Sequence, residues 1–248
     1  MVPSFNFIFL AIYDSFAGCG SHILLLPKDF MLNRCCNIKE NWIASALLAT
    51  AVTLLCVGFV DLPVALFVKN NLYANARWSK LTSNLPDFLL MVVLLTTLAA
   101  FSIYLVRSKK GIYDEMTCFA RLVTWAAPAS FATKHFLKFV FGRYNTRRWV
   151  HDPTLYGFYW FQRRAGCDGF PSGHMVVVVT LLAALWRFYP RSRPFCLVAG
   201  TLLALALVAT NYHYVSDVIA GAYLGVLIEA ITFRILLHEP SRLGTSAV

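Results

Sequence analysis

A chain of 248 residues that is 58% hydrophobic and only 14% charged, with a mean hydropathy of +0.62, is too apolar for an ordinary soluble domain and reads as an integral membrane protein. Its formal net charge of +10 raises nucleic acid as a partner, but basic residues in so apolar a chain serve orientation, anionic headgroups and phosphate, so no nucleic acid is expected. Seven cysteines show no CxxC or Cys/His ligand spacing and say little about function.

In chain order, residues 1–41 are expected to form an N-terminal lead-in, poorly ordered or interfacial. The apolar stretch at 5–13 has no Lys or Arg before it, so the charged start of a secretory signal is missing. Crossing a hydrocarbon layer of roughly 30 Å takes about 20 apolar residues per helix, and six segments meet or approach that length. The first two, 42–60 and 88–106, keep their charges at the flanks. The third, 116–140, is interrupted by Arg121, Lys134, His135 and Lys138, and basic residues near its end make sense if that end reaches an aqueous site. The fourth and fifth cover 174–189 and 195–212. The sixth, 217–237, carries Gly221 and Gly225 at GxxxG spacing, which lets helices approach closely. Glu229 inside it has no explanation in the sequence. A tail, 239–248, follows. The expected fold class is all-α, a polytopic membrane protein with a six-transmembrane-helix bundle in one domain over 42–238.

Lys and Arg in short loops set orientation. Lys28, Arg34, Lys39, Arg107, Lys109, Lys110, Arg187, Arg191, Arg193, Arg234 and Arg242 all fall on one side of a six-helix chain, which places both termini in the cytoplasm. The longest hydrophilic stretch, 142–169, breaks the rule with Arg143, Arg147, Arg148, Arg163 and Arg164 on the other side. Phosphate binding is a good reason for such a loop.

Three groups of residues on that outer side carry chemistry. Pro171-Ser172-Gly173-His174 lies where the loop enters an apolar helix, so Ser172 is placed to cap it, and the first amides with the helix dipole make an anion site. Gly173 lets an oxyanion approach the backbone; the plainer reading is a helix cap with an incidental histidine. His213 and Asp217 stand four apart, on one face if the turn is helical, and a carboxylate on one ring nitrogen frees the other to attack. Ordinary polar anchors have the same spacing. Lys138 and Arg143 are two fixed cations suited to nonbridging phosphate oxygens, or two snorkelling anchors.

At these residues the chain resembles the type 2 phosphatidic acid phosphatase (PAP2) superfamily, which includes lipid phosphate phosphatases and the vanadium haloperoxidases. The family motifs are Lys-x6-Arg-Pro, Pro-Ser-Gly-His and Ser-Arg-x5-His-x3-Asp, and the resemblance spans about 138–217. The second motif matches in full, and His213 and Asp217 meet the latter half of the third. Counting from Lys138, the family's Arg-Pro falls on Asn145-Thr146; counting back from His213, its Ser-Arg falls on Ala206-Leu207. Arg143, or Arg147 or Arg148 from the loop, are the candidates to supply the absent cations.

The resemblance implies a six-helix bundle of the PAP2/haloperoxidase type and a metal-independent phosphatase without cofactor. His213 would attack phosphorus to form a phosphohistidine, oriented by Asp217, and His174 would protonate the leaving oxygen and later help activate water. Lys138, Arg143, Ser172 and the Gly173 amide would hold the phosphoryl group, with Arg147 and Arg148 as further cations. The expected partners are a lipid phosphate or diphosphate substrate and membrane lipids, at the periplasmic face of a bacterial inner membrane. A lipid phosphotransferase with the same intermediate, or a binding or transport relative whose catalysis has decayed, are the alternatives.

Overall fold

Backbone amides inside a bilayer meet no water, so long apolar runs have to satisfy themselves as helices. The computed structural model describes residues 41–72, 85–162 and 164–237. Among these residues no strand forms, only one isolated antiparallel bridge between Arg143 and Phe158. The expected lead-in, apart from Asn41, lies outside the described residues. So do the tail at 239–248, Arg163 of the basic loop, and Lys28, Arg34, Lys39 and Arg242 of the charge pattern.

Helix α1 (Asn41–Leu55) passes through a π-helical turn (Cys56–Val60) into α2 (Asp61–Asn71). Then come α3 (Leu85–Lys109), α4 (Glu115–Phe141) and the short α5 (Thr146–His151). Helix α6 (Gly173–Phe188) leads through a 3-10 turn (Pro190–Ser192) into α7 (Arg193–Ala209), and α8 (Val215–Leu237) follows. The helix expected over 42–60 therefore continues past Asp61. An acid does not stop it there because the carboxylate is buried against Arg143 and Ser216 instead of facing lipid.

Among the described residues four helices are long and apolar enough to cross a membrane: Trp42–Asn71, Phe88–Lys109, Pro190–Ala209 and Val215–Leu236. Helix α4 has 27 residues but carries Arg121, Lys134 and Lys138, and α6 is apolar over only 16 residues. Length and apolarity by themselves thus mark out fewer spans than the six expected.

Helix α8 is the centre of the assembly: 67% of its apolar window is buried, against 11% for the window in α3. The GxxxG glycines explain how α6 reaches it. A Cβ on Gly221 would lie 2.7 Å from the Ser172 carbonyl oxygen, and one on Gly225 would lie 2.8 Å from that of Val176. Only a stripe without side chains admits a backbone so near. The Thr180 hydroxyl adds a polar link, donating to the Val176 carbonyl at 2.7 Å and the Gly225 carbonyl at 3.1 Å. Around this seam Met175, Val179 and Ala183 pack with Val218, Ala222 and Val226. The consequence is positional: the first turn of α6 is held beside the first turn of α8.

Glu229 also finds its reason. Arg187, in the last turn of α6, donates from Nε at 2.6 Å and from Nη2 at 2.8 Å to its two carboxylate oxygens. A fork-to-carboxylate pair of this kind is the arrangement that makes a fully buried acid tolerable.

Candidate active site

Three chain reversals bring the polar residues to one end of the bundle. At the first, α4 stops at Gly142, whose φ of 54° is left-handed and whose N–H caps the Lys138 carbonyl. A Cβ here would stand 2.0 Å from the Tyr159 carbonyl oxygen, so glycine is required by space as well as by conformation. Arg143 follows at once. Asn145 then caps α5, its side chain accepting from the Arg148 N–H at 3.0 Å. Where the family pattern has Arg-Pro, this chain therefore starts a short helix, and that helix carries Arg147 and Arg148.

The second reversal returns the loop to α6. The Gly169 N–H donates to the Arg143 carbonyl at 2.7 Å, and the Asn145 N–H to the Gly166 carbonyl at 3.1 Å. The loop is also tied to the first long helix, through Tyr156 Oη to the Val57 carbonyl at 2.6 Å and Lys69 Nζ to the Val150 carbonyl at 3.1 Å. Ser172 takes the N-cap position of α6, as its place in the sequence suggested, but its hydroxyl makes no capping bond. Its N–H donates instead to the Asp217 carbonyl at 3.0 Å, which locks the start of α6 to α8.

The third reversal ends α7. Asn211 takes a left-handed φ of 50°, which asparagine tolerates better than most residues, and the Tyr212 N–H closes on the Leu207 carbonyl at 3.0 Å. His213 comes next, ahead of α8.

The two histidines meet as a result. Their ring centroids are 6.1 Å apart at an interplanar angle of 65°, and the Tyr212 ring touches both, at 5.7 Å from His174 and 5.5 Å from His213. His213 is 3% exposed and Asp217 fully buried. His213 Nδ1 faces Asp217 Oδ2 at 3.6 Å, a little beyond hydrogen-bond length. Among the described residues no group hydrogen-bonds His213 Nδ1, His174 Nδ1 or Ser172 Oγ.

The cations divide into two kinds. Lys138 leans over the start of α6: its Nζ would lie 3.5 Å from a Cβ on Gly173, and it stands 4.0 Å from Asp168 at the exposed rim. Arg147 lays its guanidinium over the Tyr212 ring, 4.5 Å from the centroid, with Nε and Nη2 unbonded among the described residues. Arg148 is exposed and runs along Gly166.

Arg143 is different. It is buried, with Nη1 donating to Asp217 Oδ1 at 2.6 Å and Ser216 Oγ at 2.7 Å, and Nη2 donating to Asp61 Oδ2 at 2.8 Å. The Tyr214 ring lies over its guanidinium at 4.3 Å. Burial opposes its charge, but the Asp217 and Asp61 carboxylates outweigh that and raise its pKa above the ordinary guanidinium value. Burial in turn pushes the Tyr214 phenol up. The sequence marked Arg143 as a cation facing phosphate; the side chain instead points inward, both terminal nitrogens occupied by carboxylates.

Asp61 and Ser216 escaped the sequence reading, although an acid flanked by apolar residues within one long hydrophobic stretch is a recognised signal. Asp61 accepts from the Ser216 N–H at 2.9 Å and from its hydroxyl. Asp168 carried no signal, because its approach to Lys138 depends on a loop closure that spacing does not reveal. Among the described residues no group of three His, Cys, Asp or Glu side chains is placed to hold a metal ion.

A family profile described as the PAP2 superfamily matches residues 119–239. A Lipid A 1-phosphatase from Rhizobium etli is 33% identical over 113 residues, which are 43% of this chain and 48% of that protein. A second Lipid A 1-phosphatase, from Rhizobium johnstonii, is 35% identical over 86 residues, 34% of this chain and 35% of that protein. The chain thus spans about half the length of these curated relatives, or less. No solved structure matches it significantly.

Proposed function

We propose, from the premise that this chain belongs to the PAP2 superfamily through residues 119–239, that it is a membrane-embedded lipid phosphate phosphatase working through a phosphohistidine. The observation that carries the reading is the meeting of His174 and His213, rings 6.1 Å apart, with the buried Asp217 behind His213. The chain is an integral membrane protein. We take all six long helices as crossings, α4 and α6 among them, with both termini cytoplasmic and the site at the periplasmic face of a bacterial inner membrane.

In this scheme Asp217 faces Nδ1 of His213, so Nε2 is the nitrogen that attacks phosphorus. A P–N bond forms while the P–O bond to the lipid breaks, and His174 gives its proton to the departing oxygen. Water then attacks the phosphohistidine, His174 takes its proton, and inorganic phosphate leaves with His213 restored. Lys138, the Ser172 hydroxyl and the Gly173 amide hold the phosphoryl oxygens, with Arg147 standing in for one absent family arginine. Arg148 lies farther out and meets the headgroup first. Arg143 acts from behind, on Asp217. Fixed cations and amides supply the charge compensation here, and no metal takes part.

The names of the relatives direct the choice of substrate to a phosphorylated lipid of the lipid A kind. The test is phosphate release by the purified protein, in chelator, from lipid A, phosphatidate, phosphatidylglycerophosphate and undecaprenyl diphosphate. Release from lipid A above the others is the expected result. No release from any of the four would overturn the phosphatase reading, and label recovered in a second lipid instead of free phosphate would make the protein a phosphotransferase.

A further inference from the structure

Behind His213 lies a buried chain of charge, Asp61 of α2, Arg143 after α4 and Asp217 of α8, of which the phosphoryl-transfer scheme does not by itself require Asp61. Arg143 is 1% exposed and both acid side chains are fully buried. Both oxygens of each carboxylate are hydrogen-bonded, while Arg143 Nε has no hydrogen-bond partner among the described residues. Arg143 bonds one oxygen of each acid, the Ser216 N–H and hydroxyl complete Asp61, and the Tyr214 N–H donates to Asp217 Oδ2 at 3.0 Å.

The sum of charges matters more than the bonds. A lone Arg143–Asp217 pair would be neutral, and Asp217 would then offer little net field to the imidazole 3.6 Å away. That field is needed, because His213 gains positive charge as its second nitrogen bonds phosphorus. Asp61 changes the sum: two carboxylates against one guanidinium leave one negative charge beside His213. Arg143 meanwhile ties down Asp217 Oδ1, which leaves Oδ2 turned toward the ring.

We infer that Asp61 is a positioning residue for the reaction, acting through Arg143 to leave Asp217 with the net negative charge that stabilises the phosphorylated His213. This inference rests on the phosphohistidine reading and gives a buried acid of the first long helix a part in catalysis without contact to substrate. A merely structural Asp61 would predict the same fold and bonds but a different pattern of variants.

The experiment is lipid A phosphate release by the full-length protein in detergent, with kcat and KM for Asp61→Asn and for the double variant Asp61→Asn/Arg143→Gln. Asp61→Asn is expected to lower kcat on the order of 10-fold or more while KM changes less than about 2-fold. Removing Arg143 as well restores one net negative charge, so the double variant is expected to recover activity relative to Asp61→Asn. A double variant no better than the single one, or a single variant with wild-type kcat, would overturn the inference and leave the phosphatase reading standing. Loss of folded protein in both would assign the network to folding alone and overturn it too. A wild type inactive on all four lipids brings down the functional reading and this inference together.

Discussion

Replacing His213 by alanine is expected to abolish phosphate release, with a loss of roughly 10⁴-fold or more, because no neighbouring group can take over the attack on phosphorus. His174 is the nearest imidazole, but it belongs to the start of α6 and has no carboxylate behind it comparable to Asp217. The fold should survive, since Asp217 keeps Arg143 and the Tyr214 N–H as partners when the ring is gone. Activity on lipid A, measured beside the thermal unfolding of the same preparation, separates the two effects. Retained activity in a folded His213→Ala protein would remove the nucleophile from the mechanism.

The second large effect is expected at Arg143→Ala, and it falls on stability first. Deleting the guanidinium leaves Asp61 and Asp217, both fully buried, without their shared counter-charge. Breaking a buried pair by removing one partner costs about 3–5 kcal/mol, because the remaining charge has no solvent to turn to. Here two carboxylates are stranded at once, and the stacked faces of Tyr214, Tyr156 and Phe158 lose their cation as well. Thermal unfolding in detergent should show a large fall for Arg143→Ala and a much smaller one for Arg148→Ala, whose side chain is exposed. Equal, small shifts for the two would show that the buried network contributes little.

The parts of this molecule that were legible in the sequence are those written in local spacing. Apolar runs marked the helices, glycines at 221 and 225 marked a close helix contact, and Pro-Ser-Gly-His with His-x3-Asp marked the residues that converge. What spacing could not say is where a side chain turns. Arg143 sits five after Lys138 on a helix end, yet the left-handed Gly142 sends it inward to Asp61, a partner 82 residues away in the chain. Asp61 was hidden for the complementary reason: it ends an apolar run, and a charge at a helix end reads as a boundary until a distant cation is seen to bury it. Asn145 in the place of an arginine looked like a plain loss, but it caps the helix that carries Arg147 toward Tyr212.

If His213 is phosphorylated during turnover, rapid quenching should trap the intermediate. The protein is mixed with lipid A labelled in its phosphate, quenched in alkali within the first turnover, digested, and its peptides searched for label. The expected result is an alkali-stable, acid-labile phosphohistidine at His213 that appears in a burst before free phosphate accumulates. Free phosphate released in the first turnover with no label on the protein, or label on a residue other than His213, would contradict it.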